Sequence, residues 1–143
     1  MNINIIKGDL FTSNDYYVHC ISADCALGAG IARQIELRYH VKEKLLKIRY
    51  KIQDRFNRHG GFAVITDRII NLVTKAKYSD KPTYESLTQA LYSLKEECQK
   101  SNITKLSMPA IGCGLDRLDF KRVKNIIADV FGDTDMDITI YLL

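Results

Sequence analysis

Met108-Pro109-Ala110-Ile111-Gly112-Cys113-Gly114-Leu115-Asp116 closes an apolar run that begins at Ile103 and is broken by Thr104 and Lys105. The run reads as a buried strand, and it passes abruptly to a proline, two glycines one residue apart and a carboxylate. Without a Cβ, glycine lets backbone N–H groups approach a ligand closely. A strand that delivers such a loop at its carboxyl end therefore suits an anionic or ribose-bearing ligand. Asp116 then lies on the rim of that site.

Working outward, Asp119 can cap a helix with apolar positions Phe120, Val123, Ile126, Ile127 and Val130, ended by Gly132, and residues 138–143 read as a last strand. On the other side, Tyr84, Leu87, Leu91, Leu94 and Cys98 recur every three or four residues, with Thr83 as N-cap and Glu85 in the first turn, which predicts a helix. Residues 62–65 and 69–73 flank Thr66-Asp67-Arg68 as a hairpin, although the Asn-Gly signature is missing, and residues 74–81 form the polar loop that follows.

Further upstream, residues 17–21 read as a strand that runs into a small-residue loop, residues 22–30, after which Ile31, Ile35 and Tyr39 form one helical stripe. Strand, loop and helix in this order aim free N–H groups and the positive end of a helix dipole at a phosphate. Residues 3–6 are a short strand leading to Lys7-Gly8-Asp9-Leu10-Phe11. The expected architecture is an α/β, three-layer sandwich with a mixed central sheet and helices on both faces. Loops 8–11, 22–30, 74–81 and 109–116 are expected to meet at a crevice along the carboxyl edge.

At 143 residues the chain is expected to form one domain spanning 1–143. A hydrophobic content of 46% with 27% charged residues and only 2 prolines argues against disorder. Apolar runs fall far short of the ~20 residues that a membrane helix needs, and the first residues lack a charged leader, so the expectation is an intracellular protein, cytoplasmic or nuclear, with no membrane partner. Four cysteines without a CxxC pair and three histidines without a zinc pattern read as reduced thiols and no metal site.

The net charge of +4 is unevenly placed. Seven basic residues (Lys42, Lys44, Lys47, Arg49, Lys51, Arg55, Arg58) stand against Glu43 and Asp54, and Leu45, Leu46, Ile48, Ile52 and Phe56 are interleaved at roughly helical spacing until Gly60-Gly61. Such a segment is either a solvated amphipathic face or a surface for nucleic acid or another polyanion. Similar pairs of readings hold elsewhere. Asp9 either begins an Asx turn or faces a ligand, Cys20 and Cys113 read as packing residues rather than nucleophiles, and His19 reads as a hydrogen-bonded core residue.

Several blocks in order carry a resemblance to a known family: Lys7-Gly8-Asp9-Leu10-Phe11, His19-Cys20-Ile21-Ser22-x-Asp24-Cys25, Gly28-Ala29-Gly30-Ile31-Ala32, Thr74-Lys75, Lys81-Pro82-Thr83-Tyr84-Glu85 and residues 107–118. Together they resemble the terminal ADP-ribose protein glycohydrolase branch of the macrodomains, over nearly the whole chain. The resemblance implies that ADP-ribose lies across the carboxyl edge of the sheet. Asp9 and the backbone of Leu10 would hold adenine. Ser22 and Gly28-Ala29-Gly30-Ile31 would line the ligand, and Pro109, Ile111 and the amides of Gly112, Cys113, Gly114 and Leu115 would receive diphosphate and distal ribose, with Leu143 as a closing contact.

The resemblance places the two catalytic roles on Lys75 and Asp116. It implies removal of ADP-ribose from glutamate or aspartate esters: the Lys75 amine attacks the anomeric carbon, releasing the carboxylate and leaving a lysyl-ADP-ribose intermediate, and Asp116 assists proton transfer and resolution of the adduct. A free lysine titrates near ~10.4, so the amine has to lose its proton in the site. No cofactor or metal is implied, the partners are ADP-ribose and ADP-ribosylated proteins, and a monomer is expected. Ala23, Ala26, Tyr78 and Ala110 depart from the family's pattern and bear on the group attached to ADP-ribose. Deacylation of O-acetyl-ADP-ribose is an implied companion activity. The alternatives are a non-catalytic ADP-ribose reader, an ADP-ribose 1″-phosphate phosphatase, and a DNA ADP-ribosyl hydrolase. The macrodomain branch that acts on DNA has a more glycine-rich last loop without this aspartate, so Leu115-Asp116-Arg117-Leu118 resembles the protein-directed branch.

Overall fold

Six strands form one mixed sheet in the computed structural model, which describes residues 1–143. In chain order the elements are β1 (Asn2–Lys7), a 3-10 turn (Leu10–Thr12), β2 (Tyr16–Ser22), α1 (Gly30–Tyr39), α2 (Lys42–Lys47), α3 (Arg49–His59), β3 (Phe62–Thr66), β4 (Ile69–Lys75), α4 (Tyr84–Ser101), β5 (Lys105–Pro109), α5 (Phe120–Phe131) and β6 (Asp137–Leu142). Across the sheet the order is β1-β6-β5-β2-β4-β3. All neighbours are parallel except the β3–β4 hairpin at one edge.

The central strands are apolar on both faces, as a sheet covered by helices on both sides requires. On β4, Ile69 and Val73 face one layer while Ile70 and Leu72 face the other, and all four are buried. One layer is α4 and α5, whose Leu87, Leu91, Leu94, Val123 and Ile127 pack on Val18, Leu106 and Ile140. The opposite layer places Ile35, Leu45 and Ile52 of α1 to α3, with Val41 from the link between α1 and α2, on Tyr17, Ile21 and Phe62. The three-layer α/β sandwich expected from the sequence is therefore present.

Two local features depart from the simplest reading. The basic segment is two helices, because the Ile48 N–H bonds back to the Leu45 carbonyl, an i→i−3 turn that tightens and ends α2. The hairpin manages without Asn-Gly because Asp67 itself takes the left-handed conformation at φ 55°, which aspartate tolerates better than most residues. The neighbouring Arg68 then donates to the carbonyls of Asn14 and Asp15.

The crevice arises from where the ladder stops. β2 and β4 pair from Tyr17↔Ile69 through Ser22↔Lys75. By contrast, β2 and β5 pair only at Tyr16↔Leu106 and Tyr17↔Ser107. The carboxyl-end halves of β2 and β5 are thus not laced together, and the loop after β5 is free to take its own course beside the end of β4.

Candidate active site

Lys75 is the last residue of β4, and Asp116 lies in the loop after β5. Lys75 Nζ stands 2.7 Å from Asp116 Oδ1, and the two side chains are only 14% and 16% exposed. The pair thus joins loops from two strands that have β2 between them. Beneath it lies Cys20, whose thiol is pushed up to about 12 by burial first and by the Asp116 charge second. Cys20 is therefore a protonated packing thiol beside the pair.

The loop that carries Asp116 is held by its own turns. Cys113 N–H donates to Ala110 O at 3.1 Å, Arg117 N–H to Gly114 O at 3.1 Å, and Leu118 N–H to Gly112 O at 2.7 Å. Gly112 has φ +73°, and a Cβ there would sit 2.9 Å from Leu118 Cδ1, so this position strongly favours glycine. The amides of Gly112, Gly114 and Leu115 have no protein acceptor. The sequence reading counted four ligand-facing amides in this loop. The structure leaves three, because the Cys113 N–H closes the first turn. Ile111, only 2% exposed, packs into the core and supports the loop from below, while Pro109, half-buried, ends β5.

Across the crevice, residues 22–30 form the facing wall. Ser22, 5% exposed, donates its hydroxyl to Asp24, which also accepts the N–H of Ala26 at 3.2 Å and of Tyr78 at 2.9 Å. Burial alone would raise the Asp24 carboxyl. The Ser22, Tyr78 and Ala26 hydrogen bonds and the Lys75 charge outweigh it and hold the carboxyl below the usual range. Asp24 thereby ties loop 22–30 to loop 74–81. Sequence reasoning assigns Asp24 no role, although a Ser-x-Asp-x-Ala stretch is compatible with an Asx turn. Ala29 caps α1 with no side-chain acceptor, so the amides of Gly30 and Ile31 in the first turn point outward unpaired, an arrangement that favours anions. Gly28 precedes this turn on the exposed surface. A Cβ on Gly30 would meet Leu115 Cδ1 at 3.4 Å, which shows how closely the two walls approach.

At the far end, Asp9 Oδ1 accepts the Phe11 N–H at 3.0 Å in an Asx turn that caps the 3-10 turn, and Leu10 is buried at 4% exposure. Lys7, Gly8, Asp9 and Leu143 line an open depression of about 500 Å³ there. A separate cleft of about 330 Å³, between the carboxyl ends of α4 and α5, is lined by none of the site residues. His19 lies apart from the site, fully buried, with Nε2 2.6 Å from Asn71 Oδ1. No group of three His, Cys, Asp or Glu side chains gathers as metal ligands would, and no helix is long and apolar enough to cross a membrane.

The basic helices α2 and α3 adjoin the site wall, since Cys25 Sγ lies 4.0 Å from Leu45 O. Six consecutive residues around the break, Leu46 to Lys51, are exposed and alternate apolar with basic, and Tyr50 is 80% exposed.

A family model described as Macro domain matches residues 18–127. The chain is 43% identical, over 99% of its length and 91% of the relative, to the Bos taurus protein named ADP-ribose glycohydrolase OARD1, and 42% identical over the same shares to the Homo sapiens protein of that name. Among solved structures, the macrodomain of Thermus aquaticus DarG superposes with a TM-score of 0.81 at 18% identity, covering 98% of this chain and 96% of that one. Thermosipho africanus DarTG in complex with ADP-ribose gives 0.79 at 19% identity, covering 99% of this chain and 42% of that one. The six-stranded mixed sheet, the helical layers on both faces and the match over most of the sequence agree: the chain belongs to the Macro domain family.

Proposed function

We propose that the protein is an ADP-ribose glycohydrolase that releases mono-ADP-ribose from glutamate and aspartate side chains. One observation carries the reading: an amine and a carboxylate 2.7 Å apart, largely shielded from water, between two walls that present unpaired backbone amides. The amides and the positive end of α1 suit the diphosphate, and the depression by Asp9 and Leu143 suits the base. The relatives named ADP-ribose glycohydrolase support the same class.

In the chemistry this implies, Lys75 passes a proton to Asp116, and the neutral amine attacks the anomeric carbon of the distal ribose. A C–N bond forms as the C–O bond to the acceptor carboxylate breaks. Water then adds at the same carbon as the C–N bond breaks. The freed lysine amine takes the proton that the water gives up, and the proton held at Asp116 leaves to solvent as the acid released by ester hydrolysis. The products are the free carboxylate, ADP-ribose and the unmodified enzyme. Esters of ADP-ribose with small acids, such as O-acetyl-ADP-ribose, present a related leaving carboxylate and are a second substrate class of the same site. Both groups come from one chain, so the reaction needs no second copy.

The decisive experiment follows glutamate-linked ADP-ribose release by the wild type and by Lys75→Ala, beside calorimetric binding of free ADP-ribose. Release that stops in Lys75→Ala while binding persists supports the reading. Binding without release in the wild type makes the protein a reader. Phosphate release from ADP-ribose 1″-phosphate that survives Lys75→Ala makes it a phosphatase.

The exposed stretch from Leu46 to Lys51 favours a second partner, a single-stranded nucleic acid, with phosphates on Lys47, Arg49 and Lys51 and a base stacked on Tyr50. Charge reversal at those three basic residues should abolish salt-sensitive binding of a labelled oligonucleotide. Binding unchanged by the reversal would refute it.

A further inference from the structure

The sheet does not hold the two catalytic groups in register, since β2 lies between their strands and its pairing with β5 stops at Tyr17. Something else has to, and residues 81–86, which lead into the start of α4, touch both loops. Ser86 Oγ donates to Thr74 O at 2.7 Å, the carbonyl that immediately precedes Lys75. Lys81 Nζ donates to Leu115 O at 2.8 Å, immediately before Asp116. Asp119 N–H donates to Tyr84 Oη at 2.9 Å, three residues beyond Asp116, and the Arg122 guanidinium covers the Tyr84 ring at 3.8 Å.

A reciprocal capping box between Thr83 and Ser86 makes the start of α4 rigid, with Ser86 N–H on Thr83 Oγ1 at 2.9 Å and Thr83 N–H on Ser86 Oγ at 3.1 Å. Residues 81–86 therefore form a bracket with one arm on the Lys75 strand and two on the Asp116 loop.

We propose that Lys81 and Tyr84 are positioning residues which hold Asp116 in register with Lys75, and that Lys81-Pro82-Thr83-Tyr84-Glu85 is the frame of the catalytic pair. This rests on the hydrolase reading above. Lys81 is well placed for the task because its ammonium is a charged donor on a neutral carbonyl, a stronger bond than a neutral pair makes. Tyr84 fixes the other flank, so Asp116 is spanned rather than tethered at one end. Misplacement of a reacting group by about 1 Å can cost of the order of 10²-fold in rate, which sets the scale of effect to look for.

The test compares Lys81→Met, Lys81→Arg and Tyr84→Phe with wild type in three measurements: kcat and KM for glutamate-linked ADP-ribose, Kd for free ADP-ribose, and amide hydrogen exchange. A positioning role gives a fall in kcat of about tenfold or more in Lys81→Met and several-fold in Tyr84→Phe. Kd should stay within about threefold, and Lys81→Arg should recover most of kcat, since it restores a charged donor. Exchange at Cys113, Arg117 and Leu118 should quicken in Lys81→Met and Tyr84→Phe while α4 stays protected. Unchanged exchange there overturns the bracket whether or not the protein turns over. Unchanged kcat overturns the catalytic part, and a rise in Kd that accounts for the whole loss of kcat/KM makes Lys81 a substrate contact instead. Lys75→Ala run alongside separates the two ideas, because turnover indifferent to Lys75→Ala defeats the hydrolase reading and leaves the exchange result standing for the bracket.

Discussion

Replacing Lys75 by Met leaves the Asp116 carboxylate facing a neutral side chain at a site where it is only 16% exposed. At 2.7 Å the gross attraction between the two charges is about 6 kcal/mol with an effective dielectric of 20. Desolvation of both groups offsets most of it, so breaking the pair from one side should cost about 1–3 kcal/mol, chiefly from one charge left shielded and unpaired. The double replacement, Lys75→Met with Asp116→Leu, removes both charges and keeps apolar volume, so it should return to wild-type stability or exceed it by about 1–4 kcal/mol. Turnover should vanish in both proteins. Urea unfolding with a shared m value reads the stabilities, and release of glutamate-linked ADP-ribose reads the turnover. A double variant whose loss equals the sum of the two single losses would show that Lys75 and Asp116 support the fold independently. That result would refute the view that the pair is retained for chemistry at the expense of stability.

Buried, neutral His19 should make the protein acid-sensitive. Its folded value is lowered from 6.5 to about 4, by burial first, with the Asn71 hydrogen bond opposing. The unfolded chain therefore binds the proton more readily, and about 3 kcal/mol of stability present above pH 6.5 is lost as pH falls from 6.5 to 4; melting curves across that window that stay flat would count against it. Gly112→Ala forces a Cβ into the left-handed region against Leu118 and should cost about 1–2 kcal/mol and weaken ADP-ribose binding; calorimetry showing unaltered affinity would remove this loop from the ligand site. Burial, with the Asp119 charge adding to it, pushes the Cys113 thiol up to about 11. Iodoacetamide at pH 8 should therefore leave turnover intact over the time that modifies a free cysteine, whereas a loss prevented by ADP-ribose would reopen a thiol role.

The sheet and both helical layers were legible because period and burial coincide along most elements. Ile70 and Leu72 alternate with Ile69 and Val73 on a strand covered on both faces, and Leu87, Leu91 and Leu94 mark the buried side of α4. The break at Ile48 was not legible, because its apolar side chain continues the helical spacing while its backbone turns and leaves it 37% exposed. At the site, Gly112 was legible, since Gly112 and Gly114 follow an apolar strand and a proline and lead within four residues to Asp116. Lys75 was not. In the sequence it opens a polar stretch that reads as a loop, although β4 extends through it, and its partner is 41 positions away, so only the resemblance singled it out. Asp24 was missed for the opposite reason: its hydrogen bonds to Ser22 and Ala26 are local and look like an ordinary turn, and its bond to the Tyr78 N–H, which joins two walls of the crevice, has no local signature.

The topology also explains why affinity and rate should respond to different residues. On the proposed reading strands β4 and β5 each deliver one reacting group, and β2 between them ends its pairing with β5 at Tyr17, so the ends of the two strands are not laced together. The amides proposed for the diphosphate lie on loops 28–31 and 112–115, which come close enough that a Cβ on Gly30 would meet Leu115 Cδ1 at 3.4 Å. The contacts that fix Lys75 against Asp116 come from elsewhere, through Ser86, Lys81 and Tyr84. A Cβ added at Gly30, strained at φ +58° and set against Leu115, should disturb this wall and raise Kd, with little effect on the reaction of substrate once bound. Loss of the Lys81 or Tyr84 bond leaves the Gly30 wall intact and lets the carboxylate drift from the amine, which should lower kcat at nearly constant Kd. A crevice open enough to admit the ligand cannot by itself hold its two reacting groups together, and in this fold residues 81–86 supply that constraint.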